Sequence, residues 1–183
     1  KKNLSNLADS KNKKFENLRI CVLDRPRHKK IIDEAKSLSI DVKLISDGDV
    51  SGALLVTDEK YNVDLFLGTG GGPEGVLAAS ALDAYGCGFQ GRFMFDTVEL
   101  KKRANEMGIN NFDKKYKIDE IVKGDSLFCA TGITKGDLVN GVKLRDNKMV
   151  VNTLITHKSQ NTKKIVIGEI DIKKWYLFPV KSG

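Results

Sequence analysis

A glycine-rich segment between two apolar runs is the most constraining feature of this sequence. The first run, 63–67, predicts a buried strand, and the Ala- and Leu-rich run from Glu74 to Tyr85 predicts a closely packed helix. Five glycines lie within residues 68–75, and Pro73 is expected at the first helical position. Such a unit lets the backbone approach a ligand and directs free N–H groups at an anion.

The order of residues in this segment excludes two common phosphate-binding loops. A dinucleotide fingerprint would need Gly at position 73, and a P-loop would need Gly-Lys-Ser/Thr after the glycines. Glu74 would repel a phosphate bound directly at the helix start. A divalent metal ion between carboxylate and phosphate would remove that conflict, because such cations prefer oxygen ligands. The alternative is that Glu74 only complements the helix dipole, and the residues leave both interpretations open.

Two more short strands precede this unit. Residues 18–23 and 42–45 are β-prone, and a helix over 28–38 is predicted between them, which favours β-α-β crossovers and a parallel sheet. A short helix is also expected over 50–55. Ligands bind at the carboxyl ends of the strands in open α/β sheets, so a site is predicted in the loops that follow the three strands: Asp24–His28, Asp47–Asp49 and Gly68–Glu74.

The first two loops carry candidate ligand-binding side chains. Arg25 and Arg27 flank Pro26 and suit a phosphate ester, since a guanidinium donates in a planar fork; a solvated basic turn is the alternative. The Asp47-Gly48-Asp49 sequence could bind sugar hydroxyls or a metal, although a tight turn at a helix start is the favoured interpretation when it is taken alone. His28 is expected to cap or support its loop rather than to act as a base.

The second part of the chain predicts further elements of both kinds. A strand over 127–130 leads into the glycine-bearing loop 131–137, which could bind an anion or form a plain turn. His157 is expected on the surface, in the turn of a late hairpin. The other elements are a helix over 97–107, a helical turn over 118–122, and hairpin strands over 148–156 and 163–171. The fold class is therefore α/β, a mostly parallel sheet with flanking helices and late antiparallel strands.

Composition narrows the class of protein. The 183 residues, 40% of them hydrophobic, suit one domain with a real core. A net charge of +7 favours an anionic partner, but the lysines are scattered, which disfavours nucleic acid. Cys21, Cys87 and Cys129 predict buried thiols of a reducing compartment rather than disulfides. No apolar run approaches the roughly 18 residues of a membrane helix. A cytoplasmic protein without membrane contact is expected.

Several of these segments together resemble one known family. Residues 23–28, 45–50, 68–79 with 90–92, and 128–138 look like the C-terminal half of class II (GlpX-type) fructose-1,6-bisphosphatases. The similarity covers about residues 15–172, and GTGGGPEGVLAA is its most specific part. The resemblance implies a sugar-phosphatase fold of the lithium-sensitive phosphatase superfamily. It also implies hydrolysis of the 1-phosphate of fructose 1,6-bisphosphate in gluconeogenesis, and of sedoheptulose 1,7-bisphosphate in some members.

The resemblance also implies roles for individual residues. Glu74 matches a ligand of the divalent metal, Mn²⁺ or Mg²⁺, and is therefore a catalytic residue, while Gly71 matches a substrate-contacting glycine. The implied mechanism is attack by a metal-activated water on a phosphoryl group. The other residues that match substrate-binding segments are Arg25, Pro26, Arg27, Asp47, Gly48 and Asp49.

One departure from the family affects the predicted organisation. The other metal carboxylates of the family lie in an N-terminal half, and no Asp-Pro-x-Asp-Gly motif occurs in these 183 residues. The prediction is a polar lead-in from a missing N-terminal half (1–17), a C-terminal α/β sugar-phosphatase domain (18–172) and an aromatic tail (173–183). A homo-oligomer is expected. A non-catalytic sugar-phosphate-binding module is the alternative function, and a basic nucleic-acid-binding domain is a weaker one.

Overall fold

A three-stranded parallel sheet, in the order β2–β1–β3, determines where the predicted loops lie. The computed structural model describes residues 2–175, with side chains through Lys173. The strands are β1 (Arg19–Leu23), β2 (Asp41–Ile45) and β3 (Leu65–Leu67). Leu23 pairs with Ile45 and Val22 with Leu67, so all three strands end at the same edge, as the sequence predicts.

The described part of the chain contains seven α-helices. Those that the sequence predicts begin and end within two residues of the expected bounds. Gly71 is the N-cap residue of α4, so Pro73 is the second helical residue rather than the first. The bounds are α1 (Lys2–Lys11), α2 (Lys29–Ser37), α3 (Asp49–Leu54), α4 (Gly72–Asp83), α5 (Val98–Glu106), α6 (Ile118–Ile121) and α7 (Ile172–Trp175).

The side chains of β1 alternate between two apolar clusters. Ile20 and Val22 pack with α1 and α2 on one face, and Cys21 packs on the other face with Leu55. The first cluster includes Leu4 and Ala8 of α1, although the sequence of residues 1–17 suggested a polar segment without a helical period. A helix of ten residues that buries one narrow stripe leaves too few apolar positions to be recognised.

The predicted α/β class, with a parallel sheet and late antiparallel strands, is confirmed, but most of the described strands are antiparallel rather than parallel. The later strands form an antiparallel sheet in which β8 pairs with β6, β7 and β9. The predicted late hairpin is confirmed, but β6 belongs to this sheet too, because an apolar run does not reveal the direction of its partner. The bounds are β6 (Leu127–Thr131), β7 (Lys143–Arg145), β8 (Lys148–His157) and β9 (Thr162–Asp171), with a separate pair of β4 (Gln90–Gly91) and β5 (Tyr116–Lys117).

Helix α4 joins the two sheets. It packs on α3, which covers the parallel sheet, and its Ala78, Ala81 and Leu82 share a core with Phe128 and Leu154 of the antiparallel sheet. Small alanine side chains allow this close approach on both sides of the helix. The layers therefore run in the order α1 and α2, parallel sheet, α3 and α4, antiparallel sheet.

The remaining expectations concern the cysteines, the membrane, the aromatic tail, the superfamily and the division of the chain. The cysteines are unpaired, but Cys87 is only half-buried and Cys129 is exposed, so the prediction of three buried thiols holds for Cys21 alone. No helix in the described ranges is long and apolar enough to cross a membrane. The aromatic tail falls almost wholly outside the described residues. The superfamily assignment and the three-part division stay predictions.

Asp64 connects the region after α1 to the parallel sheet. Its carboxylate, whose side chain is 3% exposed, accepts hydrogen bonds from Lys13 at 2.8 Å and from the Arg19 backbone N–H at 3.0 Å, and pairs with Lys11 at 3.0 Å. Burial alone would raise the pKa of Asp64, but these three donors together lower the pKa below its ordinary 3.8. The resulting stabilisation is present above that value and is lost as the pH falls through the lowered pKa.

Substitution of Asp64 should therefore destabilise the fold. We expect Asp64→Ala to reduce the free energy of unfolding by about 1–3 kcal/mol at pH 7, because the Arg19 N–H loses a buried acceptor. Asp64→Asn, which keeps a carbonyl acceptor, should lose less. Urea unfolding measures both. The control is Glu169→Ala, which removes an exposed ion pair with Lys148 and should change stability by less than about 0.5 kcal/mol; equal losses would contradict the role of Asp64.

Candidate functional site

The three loops at the carboxyl edge of the parallel sheet contact one another. The loop after β1 lies between the other two, because β1 is the central strand. Arg25 Nη2 lies 3.7 Å from Asp47 Oδ1, and Arg27 Nε donates to the Thr69 carbonyl at 2.6 Å. The predicted meeting of the three segments is confirmed by these contacts.

The glycine loop lies against two carboxylates. Gly71 has an ordinary φ of −68°, and a Cβ added to it would collide with the Glu74 carboxylate. A Cβ on Gly70 would come within 3.0 Å of Asp49 Oδ2. The small size of Gly71, rather than an unusual backbone conformation, leaves room for the Glu74 carboxylate in its present position. The absence of side chains here lets Glu74 fold back over the start of its own helix.

The Glu74 carboxylate has no hydrogen-bond or ion-pair partner among the described residues, and Glu74 is exposed in the first turn of α4. A metal ligand and a group that complements the helix dipole would both take this position. Within the described part of the chain, no group of three or more His, Cys, Asp and Glu residues could hold a metal ion. The residues present offer ligands but do not form a complete metal site.

The two arginines lie on opposite sides of their loop. Pro26 begins a single 3₁₀ turn, Pro26–His28, and Arg25 faces the loop after β2 while Arg27 faces the glycine loop. Arg27 uses only Nε in that contact, so its terminal amino groups have no partner within residues 2–173. Arg27 is exposed to solvent apart from this contact, so the phosphate-binding and solvated-turn interpretations both stay open.

The Asp47-Gly48-Asp49 sequence forms the tight turn that was favoured. Gly48 has a φ of +81°, a conformation that favours glycine, and it precedes the first residue of α3. Ser51 Oγ donates to the Gly48 carbonyl at 2.8 Å. The turn does not use the Asp47 carboxylate, whose side chain is 94% exposed and therefore accessible to a ligand.

His28 supports the loops, as the sequence suggested. It is fully buried, with Nδ1 2.9 Å from the Leu23 carbonyl oxygen and Nε2 2.8 Å from the Thr69 amide nitrogen. The sequence did not reveal Thr69 as its partner, because the two residues are 41 positions apart and no local pattern links them.

The glycine N–H groups of the loop after β6 already donate to backbone carbonyls of this chain. Gly132 donates to the Asn152 carbonyl and Gly136 to the Val139 carbonyl, which supports the plain-turn interpretation. Asp137 of this loop binds Lys43 of β2 at 2.6 Å, a contact that the sequence did not suggest.

His157 was expected in a surface turn, but the structure places it in a strand. It is the last residue of β8, its side chain is 22% exposed, and its Nε2 lies 2.7 Å from Asp125 Oδ2. The predicted hairpin is one residue longer on this side than expected, and the histidine is part of the strand.

Comparison with known proteins identifies the family. A family model described as bacterial fructose-1,6-bisphosphatase, glpX-encoded, matches residues 1–169. The chain belongs to this family. The match includes α1 as well as the three loops. Family membership therefore confirms the resemblance found in the sequence.

The curated relatives are longer than this chain. The class 2 D-fructose 1,6-bisphosphatase/sedoheptulose 1,7-bisphosphatase of Trichodesmium erythraeum is 36% identical over 177 residues, covering 90% of this chain and 51% of the relative. The proteins of the same description from Microcystis aeruginosa and a Synechocystis strain are also 36% identical, with the same coverage. The chain spans about half the length of the curated relatives it matches.

The space above Gly71 gives a prediction about Glu74. We expect Gly71→Ala to displace the Glu74 carboxylate, because a long flexible side chain can move away from the new methyl group, and to lower stability by about 1 kcal/mol, because Ala is a poorer N-cap residue than Gly. The control is Gly75→Ala one helical turn later, where an added Cβ meets nothing within 4 Å. It should stabilise the helix by about 0.5–1 kcal/mol. Thermal unfolding and crystal structures of both variants measure the effects; an unmoved Glu74 carboxylate in Gly71→Ala would contradict this account.

Proposed function

We propose that this chain supplies the C-terminal half of the active site of a metal-dependent fructose-1,6-bisphosphatase. The observation that carries the proposal is the unpartnered Glu74 carboxylate folded over the glycine loop, at the sheet edge where Arg25 and Arg27 also lie. A phosphate binds favourably near arginines and a helix start, and a carboxylate beside that bound phosphate is favourable only with a cation between them. The names of the relatives agree with this chemistry.

In this proposal the substrate is a sugar bisphosphate. Arg25 and Arg27 bind phosphate oxygens, Gly71 lets the substrate approach the loop, and the Asp47 carboxylate accepts hydrogen bonds from sugar hydroxyls. A bound divalent ion, Mn²⁺ or Mg²⁺, would neutralise phosphoryl oxygens and make water a better nucleophile. We propose fructose 1,6-bisphosphate as the main substrate, with sedoheptulose 1,7-bisphosphate as a second, in a cytoplasmic enzyme of gluconeogenesis.

The remaining metal ligands would come from a polypeptide equivalent to the other half of the relatives. Glu74 alone cannot hold a catalytic metal, and this residue is exposed at the surface of the chain. The antiparallel sheet also has an open apolar surface. Ile165 and Ile167 of β9 pair with the buried Leu154 and Asn152, so they lie on the sheet face that α4 covers, yet they are 49% and 67% exposed. We propose that the other half covers this face.

A non-catalytic sugar-phosphate-binding module is the second candidate. The observation in its favour is that the described residues contain no group of three or more possible metal ligands. Such a module would bind bisphosphate without metal and would be indifferent to Glu74. The metal-dependent phosphatase, in contrast, requires both the metal and Glu74.

Phosphate release separates the two candidates. The longest natural polypeptide that contains these residues should release phosphate from fructose 1,6-bisphosphate with Mn²⁺ or Mg²⁺, and a chelator should abolish the release. Glu74→Ala and Glu74→Gln should reduce turnover by more than about 100-fold without unfolding the protein, since metal stabilisation of the reaction amounts to several kcal/mol. Retained turnover in a folded Glu74 variant would exclude the metal role, and a folded, inactive wild type would favour the binding module.

Arg25 should contribute to substrate affinity. We expect Arg25→Ala to raise KM for the bisphosphate about tenfold with the fold intact, because one charge-assisted hydrogen bond contributes about 1.5–3 kcal/mol. Steady-state kinetics measure KM, and circular dichroism checks the fold. Lys30→Ala, which removes an exposed cation from the neighbouring helix, is the control and should leave KM unchanged. An unchanged KM in Arg25→Ala would remove this residue from the site.

A further inference from the structure

His28 is a buried polar residue with no assigned role in binding or chemistry. It is fully buried, follows directly on the Arg25-Pro26-Arg27 segment, and contacts the glycine loop through Thr69. Its ring also lies beside Gly68, where an added Cβ would come within 3.9 Å of the ring carbon Cε1. The ring therefore fills the space between the end of β1 and the loop after β3.

The hydrogen-bond geometry determines the tautomer of His28. Nε2 lies 2.8 Å from the Thr69 amide nitrogen and 3.2 Å from the Thr69 carbonyl oxygen, and it cannot accept from one and donate to the other at the same time. The amide contact is shorter, and the carbonyl already accepts from Arg27 Nε at 2.6 Å. Nε2 therefore accepts from the Thr69 N–H. The ring proton lies on Nδ1, which donates to the Leu23 carbonyl at 2.9 Å.

Thr69 is thus held at both of its backbone polar groups. The imidazole of His28 accepts from its N–H, and the guanidinium of Arg27 donates to its carbonyl. Both side chains belong to the loop after β1, and Leu23, at the end of β1, anchors the imidazole. The glycines that follow Thr69 have little conformational restriction of their own, so the two contacts fix the point from which residues 70–72 begin.

From this geometry we infer that His28 is a positioning residue for the glycine loop. By holding the Thr69 N–H through Nε2, it fixes the path of Gly70 and Gly71 and so the place of the Glu74 carboxylate above Gly71. The inference rests on the proposed phosphatase function only where it concerns turnover. The tautomer and the Thr69 contact can be tested without it.

Two conservative variants separate the two hydrogen bonds of the ring. An Asn amide places a polar atom near the position of Nδ1, and a Gln amide places one near that of Nε2. His28→Asn should therefore keep the bond to the Leu23 carbonyl and lose the Thr69 N–H, whereas His28→Gln should keep the acceptor for Thr69. If His28 only stabilises the fold, both variants should behave alike at the site.

Turnover and amide exchange are measured on the longest natural polypeptide that contains these residues. In His28→Asn we expect kcat to fall about tenfold or more with KM within about threefold, because a small displacement of reacting groups lowers the rate strongly. Hydrogen exchange at the Thr69 amide should be at least about fivefold faster. In His28→Gln both quantities should return to within about threefold of the wild type.

The outcomes distinguish this inference from the proposed function. If the wild type is active, the positioning role is overturned in either of two cases. Both variants keep the kcat of the wild type, or both lose the same fraction of it. An inactive wild type contradicts the proposed function, and Thr69 exchange then decides the inference alone. If His28→Asn does not fold, the ¹⁵N resonances of the wild-type ring decide it: a proton on Nδ1 supports the inference, and a proton on Nε2 overturns it.

Discussion

Parallel pairing of β1 with both of its neighbours is the interaction on which the rest of the site depends. It places the loop after β1 between the other two loops, so Arg25 contacts one of them while Arg27 and His28 contact the other. With an antiparallel neighbour, one loop would lie at the opposite edge of the sheet. Arg25 could not then face Asp47 while Arg27 and His28 hold Thr69.

Much of this first sheet could be predicted because its signals are local. The short apolar runs, the helical spacing after His28 and the glycine loop each describe one element, and the carboxyl-edge rule then brings the loops together. The strand β6 was predicted, but not the sheet to which it belongs, because its partner, β8, lies more than one element further along the chain. Helix α1 was missed because its buried stripe is narrow. The contact between His28 and Thr69 was missed because only the folded sheet brings these residues together.

The loops combine fixed and unsatisfied groups, as the shared active site that we propose would require. The backbone polar groups of Thr69 are satisfied by His28 and by Arg27 Nε, both within the chain. Glu74 and Asp47, in contrast, are exposed carboxylates, and Glu74 has no partner in the described ranges. The first set preserves the shape of the loop, and the second set is left to interact with a cation, a substrate or another polypeptide. This division agrees with a chain that spans about half the length of its curated relatives.

Helix α4 has one end in the site and the other in a different sheet. Eight residues separate Glu74 from Leu82, which corresponds to a rise of about 12 Å along a stiff helix. Leu82 packs with Phe128 and Leu154, so the antiparallel sheet sets the axial position and rotation of the helix. Because the helix is stiff, a repacking of that distant core would move the N-terminal end of α4 and the Glu74 carboxylate with it. The precision of the site depends on side chains that never touch a ligand.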